Sequence, residues 1–199
     1  MSRGQLEFIK ERGIEPKVMV DAGPGTPYSE AWEAERLWNI QPDIYGFEPC
    51  DIRFRLLRDA RYPGTLKPWG LGAANGLITL WPAGPNFNSS AFRLNEVGQI
   101  NYATPVVRLD DFMRWDANCC DNILLWLDIE GSERDALLGA TETLKRTIAV
   151  VVEVRDEVPC DGWCTATEVA EILTGAGFTK AATFPSGPTD PQRDEVWLR

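Results

Sequence analysis

Residues 123–140, ILLWLDIEGSERDALLGA, decide the fold class of this chain. The stretch begins with five apolar residues, Ile123–Leu127, which predict a strand buried on both faces of a sheet. Asp128 and Glu130 follow in a short turn. A helix is predicted from Gly131 or Ser132 to about residue 146, with an apolar face that packs inward. The stretch therefore predicts a strand that ends in two carboxylates and leads directly into a helix.

Other parts of the chain repeat this strand-to-helix order. The predicted strands include residues 17–22, 44–47, 105–109, 148–154, 178–184 and 195–198, and the predicted helices include residues 4–12, 51–60 and 165–175. Thr26 and Pro27 are predicted to begin a further helix. Alternating strands and helices predict an α/β fold, doubly wound, with a mostly parallel sheet and helices on both faces. We expect one domain over residues 1–199.

Two features interrupt this alternation between residues 65 and 104. Asn75-Gly76, flanked by apolar residues, predicts a hairpin. Residues 82–104 are polar and rich in turn residues, and we predict a long surface loop that shapes the site of a second substrate.

The composition narrows the function. The chain has 199 residues, 44% of them apolar, and a net charge of −10, which disfavours nucleic acids and anionic membranes as partners. No leader or membrane-spanning stretch is evident, so we expect a cytoplasmic protein. The chain contains no histidine, which excludes a histidine base and histidine-bound zinc. Proton transfer must therefore use other side chains.

Acidic residues and glycines follow the predicted strands. Ligands of open α/β sheets bind outside the carboxyl ends of the strands. The segments found there are Asp21-Ala22-Gly23-Pro24-Gly25, Glu48-Pro49, Trp69-Gly70, Asp128-Ile129-Glu130 and Glu153. Four of these five segments carry an acid, so we expect a polar ligand site along this edge.

The first two segments together predict a nucleoside site. Gly23 and Gly25 allow a sharp turn and a close approach to a ligand, and the helix that follows offers free N–H groups. Glu48 can accept hydrogen bonds from both hydroxyls of a ribose. Taken singly, the glycines also fit an ordinary strand-to-helix turn, and Glu48 a solvated surface position. Their combination describes a nucleoside held between the first two strands.

The turn itself favours one class of nucleoside. Dinucleotide sites prefer the pattern G-x-G-x-x-G, but Tyr28 stands where the third glycine is expected, and Pro24 removes an N–H donor. Both features disfavour a pyrophosphate and leave a nucleotide-dependent oxidoreductase as the less favoured alternative. A D-x-G-x-G turn suits S-adenosyl-L-methionine (SAM), which has no phosphate.

Six segments resemble the FkbM family of SAM-dependent methyltransferases. They are VMVDAGPG (18–25), YGFEP (45–49), TPVVRLDDF (104–112), LLWLDIEGSERDALLGA (124–140), VVEVR (151–155) and T-x-x-E-V-A-x-I-L-x-x-x-G-F (165–178). The resemblance covers about residues 16–180, and the D-I-E-G-S-E segment is its most specific part. Pro24 departs from the family pattern, in which asparagine is frequent.

The resemblance implies a class I methyltransferase fold with a seven-stranded sheet whose last strand is antiparallel. It also implies a role for most of the strand-end residues. The turn Asp21, Ala22, Gly23, Pro24 and Gly25 would hold the methionine part of SAM, Glu48 and Pro49 the ribose side, Trp69 and Gly70 the adenine, and Asp128 the space between the methionine end and the acceptor.

Catalysis of methyl transfer to a hydroxyl needs a proton acceptor. The candidates are Asp128, Glu130 and Glu153, since these carboxylates end two central strands. Glu130 could instead only favour the helix N-terminus, as could Glu133. We predict no metal; the alternative is Mg²⁺ bound by Asp128 and Glu130 with the neighbouring acids Asp110 and Asp111.

The expected function is therefore methyl transfer from SAM to a hydroxyl of a small molecule or glycan, since FkbM-like enzymes are associated with polyketide, lipid or sugar hydroxyls. The alternative is a catalytically silent domain that binds SAM or a partner.

Overall fold

The computed structural model describes residues 3–38, 43–83, 88–90, 101–115, 121–187 and 190–199. The strands are β1 (Val18–Ala22), β2 (Asp43–Phe47), β3 (Thr65–Lys67), β4 (Gly70–Leu71), β5 (Gly76–Ala83), β6 (Asn88–Ser90), β7 (Tyr102–Val107), β8 (Ile123–Leu127), β9 (Thr147–Arg155), β10 (Thr179–Pro185) and β11 (Gln192–Leu198). The helices are α1 (Arg3–Glu11), α2 (Glu30–Leu37), α3 (Asp51–Asp59), α4 (Leu109–Trp115), α5 (Glu133–Leu138), α6 (Thr141–Arg146) and α7 (Ala166–Gly175). None of the described helices is long and apolar enough to cross a membrane.

Seven strands form the main sheet in the order β3-β2-β1-β8-β9-β11-β10. The strands from β3 to β9 are parallel, and β11 is antiparallel to both of its neighbours. The predicted seven-stranded, mostly parallel sheet with an antiparallel last strand is thus confirmed. Because β1 and β8 lie side by side near the middle, the segments that follow them meet at one edge of the sheet.

Helices cover both faces of this sheet, as predicted. Alternate side chains of a strand point to opposite faces. Leu125 of β8 therefore packs in a core with Leu137 of α5 and Leu173 of α7, while Trp126 packs in a second core with Leu6 of α1 and Ala34 of α2. This two-sided burial explains why residues 123–127 are apolar without interruption.

A second sheet, in the order β4-β7-β5-β6, is inserted between β3 and β8. The predicted hairpin at Asn75-Gly76 is wrong, because β4 and β5 do not pair with each other: both pair with β7, through Val106. Asn75 instead binds the N–H of Arg108 (2.7 Å) and the carboxylate of Asp111 (2.8 Å), which ties the turn to the start of α4.

The long loop predicted for residues 82–104 is wrong in the parts that the structure describes. Strand β5 continues to residue 83, β6 covers residues 88–90, and β7 begins at residue 102. Residues 84–87 and 91–100 lie outside the described part of the chain. Pairing of β5 with β6 and β7 forms the described strands, and such pairing leaves no local signal in the sequence.

Two helices differ from their predicted limits. The helix after β1 begins at Glu30 with Ser29 before it, not at Thr26, because Tyr28 has a left-handed backbone (φ 66°) that a helix cannot contain. The helix predicted up to about residue 146 is divided at Gly139. A Cβ at Gly139 would lie 2.0 Å from the carbonyl oxygen of Gly72, so this glycine lets the inserted sheet approach the break.

Candidate active site

A cavity of about 320 Å³ opens at the carboxyl ends of the central strands. Its walls come from the segments after β1, β2 and β8, from the end of β9, and from β4 and β5 of the inserted sheet. Nine of the residues predicted for the site line it: Gly23, Pro24, Gly25, Glu48, Pro49, Gly70, Asp128, Glu130 and Glu153. The structure therefore brings most of the predicted site together in one space.

Three predicted residues do not line this cavity. Asp21 is fully buried, accepts a hydrogen bond from the hydroxyl of Tyr62 (2.8 Å) and leaves its other carboxylate oxygen without a partner. Burial, followed by the charge of Glu30, raises the pKa of Asp21 well above its usual value. Ala22 is buried in β1, and the ring of Trp69 packs edge-on against Phe112 at 6.4 Å.

The turn after β1 packs directly against the end of β8. Gly23 and Gly25 both have left-handed backbones, with φ values of 79° and 60°. A Cβ on Gly23 would lie 1.9 Å from the carbonyl oxygen of Asp128, so a larger residue cannot be accommodated there without displacing the backbone. Gly23 therefore allows the close contact that places the turn beside Asp128.

Glu48 forms the end of the cavity nearest β2. The residue is only 3% exposed, and its carboxylate accepts a hydrogen bond from the N–H of Cys50 (2.8 Å). Burial raises the pKa of Glu48 to about 7, against the lowering effects of the N–H groups of Cys50 and Gly25 and the charge of Arg53. The carboxylate is thus fixed in direction by backbone donors.

The inserted sheet holds the segment that follows Glu48. The hydroxyl of Thr104 donates to the carbonyl oxygen of Pro49 (3.4 Å), and the hydroxyl of Tyr102 accepts from the N–H of Asp51 (3.3 Å). Both side chains come from β7. The inserted sheet therefore supports the Glu48 end of the cavity as well as lining it.

Asp128, Glu130 and Glu153 form what we call the carboxylate cluster. One carboxylate oxygen from each lies within 4.8 Å of the others. Burial, followed by the charges of Glu153 and Glu130, raises the pKa of Asp128 well above its usual value. Burial, the charge of Glu130 and that of Asp194 raise the pKa of Glu153 to about 8. The cluster therefore binds protons more tightly than separate, exposed carboxylates do.

A buried side chain outside the cluster fixes the turn that carries Glu130. Glu133 is 2% exposed and accepts hydrogen bonds from the N–H groups of Ile129 (3.0 Å) and Gly131 (3.3 Å). The thiol of Cys164 donates to its other oxygen (3.1 Å). Glu130 is consequently held in a left-handed conformation, with φ 52°. The N-terminal position of Glu133 in α5 was apparent in the sequence, but its burial was not.

The carboxylate cluster is the group of acids, among the described residues, whose spacing could hold a metal ion. The alternative magnesium site with Asp110 is not formed, because Asp110 accepts hydrogen bonds from the N–H groups of Glu142 (3.1 Å) and Thr143 (2.8 Å) at the start of α6. These bonds lower the pKa of Asp110, although burial opposes them. Asp110 therefore stabilises a helix.

Sequence reasoning missed several polar side chains that line the cavity, among them Arg53 and Gln192. Arg53 comes from the first turn of α3, and Gln192 is the first residue of β11. The side-chain amide of Gln192 donates to the carboxylate of Glu153 (2.9 Å). The sequence position of Arg53, five residues after Glu48, could have indicated that it lies near the cavity. No such signal existed for Gln192, because only the pairing of β11 with β9 brings it to the cavity.

Comparison with known proteins identifies a sequence family. The family model described as "Methyltransferase FkbM domain" matches residues 20–180. Over 111 residues the chain is 26% identical to the 2-O-methyltransferase NoeI of Sinorhizobium fredii. That alignment includes 54% of this chain and 44% of NoeI, so the chain matches less than half the length of this relative.

Solved structures of class I SAM-dependent methyltransferases share the fold. The magnesium protoporphyrin IX methyltransferase of Synechocystis PCC 6803 with bound SAM has a TM-score of 0.52 and 10% identity, over 98% of this chain and 76% of that chain. The fibrillarin pre-rRNA processing protein of Methanococcus jannaschii has a TM-score of 0.52 and 10% identity, over 93% and 66%. At such low identity the likeness concerns the fold alone.

Proposed function

The chain belongs to the FkbM family of methyltransferases, and from that premise we propose that it methylates a hydroxyl of a small molecule or glycan. Its cofactor is SAM, consistent with the SAM-bound structure that shares its fold. The observation that carries the proposal is that one cavity contains the buried carboxylate of Glu48, held by backbone donors, at one end and the carboxylate cluster at the other. We assign cofactor recognition to the first and proton transfer to the second.

The order of the strands supports this division. Glu48 follows β2 and Glu153 lies near the end of β9, and β1 and β8 lie between these two strands. At roughly 4.8 Å between neighbouring strands, this separates the two ends by about 14 Å. In our proposal Glu48 binds the ribose hydroxyls, Pro49 and Gly70 border the adenine, and the turn Gly23–Gly25 holds the methionine part. Asp21, Ala22 and Trp69 would support these residues from the core.

The chemistry requires positioning and one proton acceptor. When bound, SAM supplies a methyl group on a positively charged sulfur, which leaves as a neutral thioether once the methyl carbon is attacked. Asp128, next to Gly23, would face the sulfur and stabilise its charge. Glu153, one strand farther out, would accept the proton of the attacking hydroxyl. The amide of Gln192 would orient the carboxylate of Glu153. Glu130 would raise the basicity of Glu153 through its charge.

The charge of the site also bears on the acceptor. Three carboxylates at the acceptor end repel phosphates and carboxylates, and the whole chain has a net charge of −10. Both features favour a neutral hydroxyl compound over a nucleic acid. The name of the relative NoeI, a 2-O-methyltransferase, agrees with an oxygen acceptor.

Two measurements on the purified protein test the proposal. The first is calorimetric binding of S-adenosylhomocysteine, with NAD as the control; we expect binding of the first only. The second is transfer from methyl-labelled SAM to a panel of sugars and small alcohols, with amines and RNA as competing acceptors. We expect label in an ether, and Asp128→Asn should suppress transfer more than folding. Label only in amines would refute the hydroxyl acceptor, and label only in RNA would refute the small molecule or glycan. Binding of S-adenosylhomocysteine without any transfer would favour a silent domain.

A further inference from the structure

We infer that Arg53 binds the carboxylate of the methionine part of SAM. This inference rests on the proposed placement of the cofactor, and it assigns to a residue of α3 a task that sequence reasoning gave to the backbone of the turn after β1. The donors of the turn are already used, the helix that follows carries negative charge, and Arg53 lies over the turn.

The N–H groups of the turn already have acceptors. The N–H of Gly23 donates to the carbonyl oxygen of Phe47 (3.0 Å), and that of Thr26 donates to the carbonyl oxygen of Pro24 (2.6 Å). Pro24 has no N–H, and the N–H of Gly25 donates to the carboxylate of Glu48. No backbone donor of residues 23–26 is therefore left for a carboxylate.

The N-terminus of α2, the helix after the turn, is a poor alternative source of donors for the carboxylate. The first turn of α2 contains two acids, Glu30 and Glu33, which disfavour a further anion at the helix N-terminus, although Glu33 is paired with Arg36. Glu30 itself lines the cavity. The hydroxyl of Ser29, just before the helix, donates to the carbonyl oxygen of Pro24 (3.0 Å). An anion in this part of the cavity thus needs a donor from another element.

Arg53 is the one cation among the described residues that line the cavity. The other charged residues there are carboxylates: Glu30, Glu48, Asp128, Glu130 and Glu153. A Cβ at Gly25 would lie 2.6 Å from Nη1 of Arg53, so the guanidinium group lies directly over this glycine. Gly25 suits the left-handed backbone of the turn, and its lack of a side chain leaves open the space that Arg53 occupies.

The chemistry of the guanidinium group fits this task. It offers several N–H donors in one plane, which match the two oxygens of a carboxylate. The cofactor has one carboxylate, and its other charges, the ammonium and the sulfonium, are positive and suit the acids of the cavity. Arg53 thus supplies the donors that Pro24 lacks and that Gly25 gives to Glu48.

Calorimetry with two ligands tests the inference on the intact protein. The probes are SAM and decarboxylated SAM, which differ only in the carboxylate. The variants are Arg53→Gln, Arg53→Lys and, as the matched control, Arg55→Gln, whose arginine is exposed on the same helix and pairs with Asp51 at 2.8 Å. Thermal unfolding checks that each variant is folded.

We expect the unchanged protein to prefer SAM over decarboxylated SAM by about tenfold or more, since a hydrogen-bonded charge pair is lost with the carboxylate. Arg53→Gln should abolish this preference, Arg53→Lys should keep part of it, and Arg55→Gln should keep all of it. A full preference in Arg53→Gln would overturn the inference, as would an equal loss of affinity for both probes, which would mean that Arg53 acts through Glu48. If the unchanged protein binds neither probe, the proposed function fails first.

Discussion

The two ends of the cavity contain the same kind of side chain in opposite surroundings. At the β2 end, the Glu48 carboxylate accepts hydrogen bonds from backbone N–H groups and lies near Arg53, and its pKa is about 7. At the β8–β9 end, the carboxylate cluster groups three acids within 4.8 Å, and the pKa of Glu153 is about 8. Burial raises both values. Backbone donors and Arg53 favour the charged form of Glu48. The acids Glu130 and Asp194 oppose the charged form of Glu153, although Arg155 lies nearby.

This contrast assigns different tasks to residues that look alike in the sequence. A carboxylate held by fixed donors keeps its direction and suits the recognition of paired hydroxyls. A carboxylate among other acids has an elevated affinity for protons and suits proton transfer. Four experiments test this distinction.

The largest effect is expected at the carboxylate cluster. Glu153→Gln should lower the rate of methyl transfer by about 10²–10⁴-fold, because it removes the proton acceptor, while the affinity for S-adenosylhomocysteine should change little. Steady-state rates and calorimetry measure both quantities. Glu157→Gln, an exposed acid just beyond β9, is the control. Full activity in Glu153→Gln would assign the base to another residue.

The next effect concerns the opposite end. Glu48→Ala should weaken binding of S-adenosylhomocysteine by about 1–3 kcal/mol, since the ribose hydroxyls lose their buried acceptor. The rate at saturating SAM should fall much less than in Glu153→Gln. Calorimetry measures the loss of affinity, and rates at high SAM measure the effect on methyl transfer. Unchanged affinity would refute the ribose role of Glu48 and remove the contrast.

A smaller effect is expected in the dependence of stability on pH. The pKa values of Glu48 and Glu153 are raised in the folded state from 4.5 to about 7 and about 8. Between pH 4.5 and these values, the folded protein therefore binds more protons than the unfolded chain does. The contribution of these groups to stability is therefore present below about pH 4.5 and is lost as the pH rises to 8.

In melting experiments between pH 5 and 8, Glu153→Gln should reduce this loss of stability by a few degrees in Tm. Glu48→Gln should reduce it less, because the pKa of Glu48 is raised less. The opposite order of the two variants would show that the cluster does not hold its protons more tightly than Glu48.

The smallest effect should come from the support of Glu48 by the inserted sheet. Tyr102→Phe removes the hydroxyl that accepts from the N–H of Asp51 at 3.3 Å. Because this bond is long, we expect S-adenosylhomocysteine to bind about threefold more weakly, or roughly 0.6 kcal/mol. Methyl transfer at saturation should stay unchanged, and a fall in that rate would mean that β7 also affects the cluster.

The sequence was sufficient to predict the main sheet and most of the cavity lining. Apolar runs such as residues 123–127 mark strands locally, and the acids and glycines that end them are adjacent in the chain. The same reasoning also placed Asp21 and Ala22 in the site, but both belong to the buried strand β1 and do not line the cavity. Asp21 is only two residues from Gly23, yet it bonds to Tyr62 in the core while Gly23 lines the cavity.

What could not be predicted depends on contacts between distant segments. The inserted sheet needs β7 to lie between β4 and β5, and Gln192 reaches Glu153 only because β11 pairs with β9. The residues next to Arg53 and Glu133 in the sequence do not distinguish them from charged residues on a helix surface. Their positions over Gly25 and under Gly131 result from the packing of α3 and α5.

The insertion of β11 between β9 and β10 has a consequence for the order of assembly. Strand β10 precedes β11 in the chain, but it contacts the main sheet only through β11. The outer strand therefore cannot pair with the sheet before the inner one does. The register that closes this edge pairs Gln192 with Arg155 and Asp194 with Glu153. The same pairing brings Gln192 beside Glu153, so a chain with β11 unpaired would keep the three acids of the cluster but lose the amide that donates to Glu153.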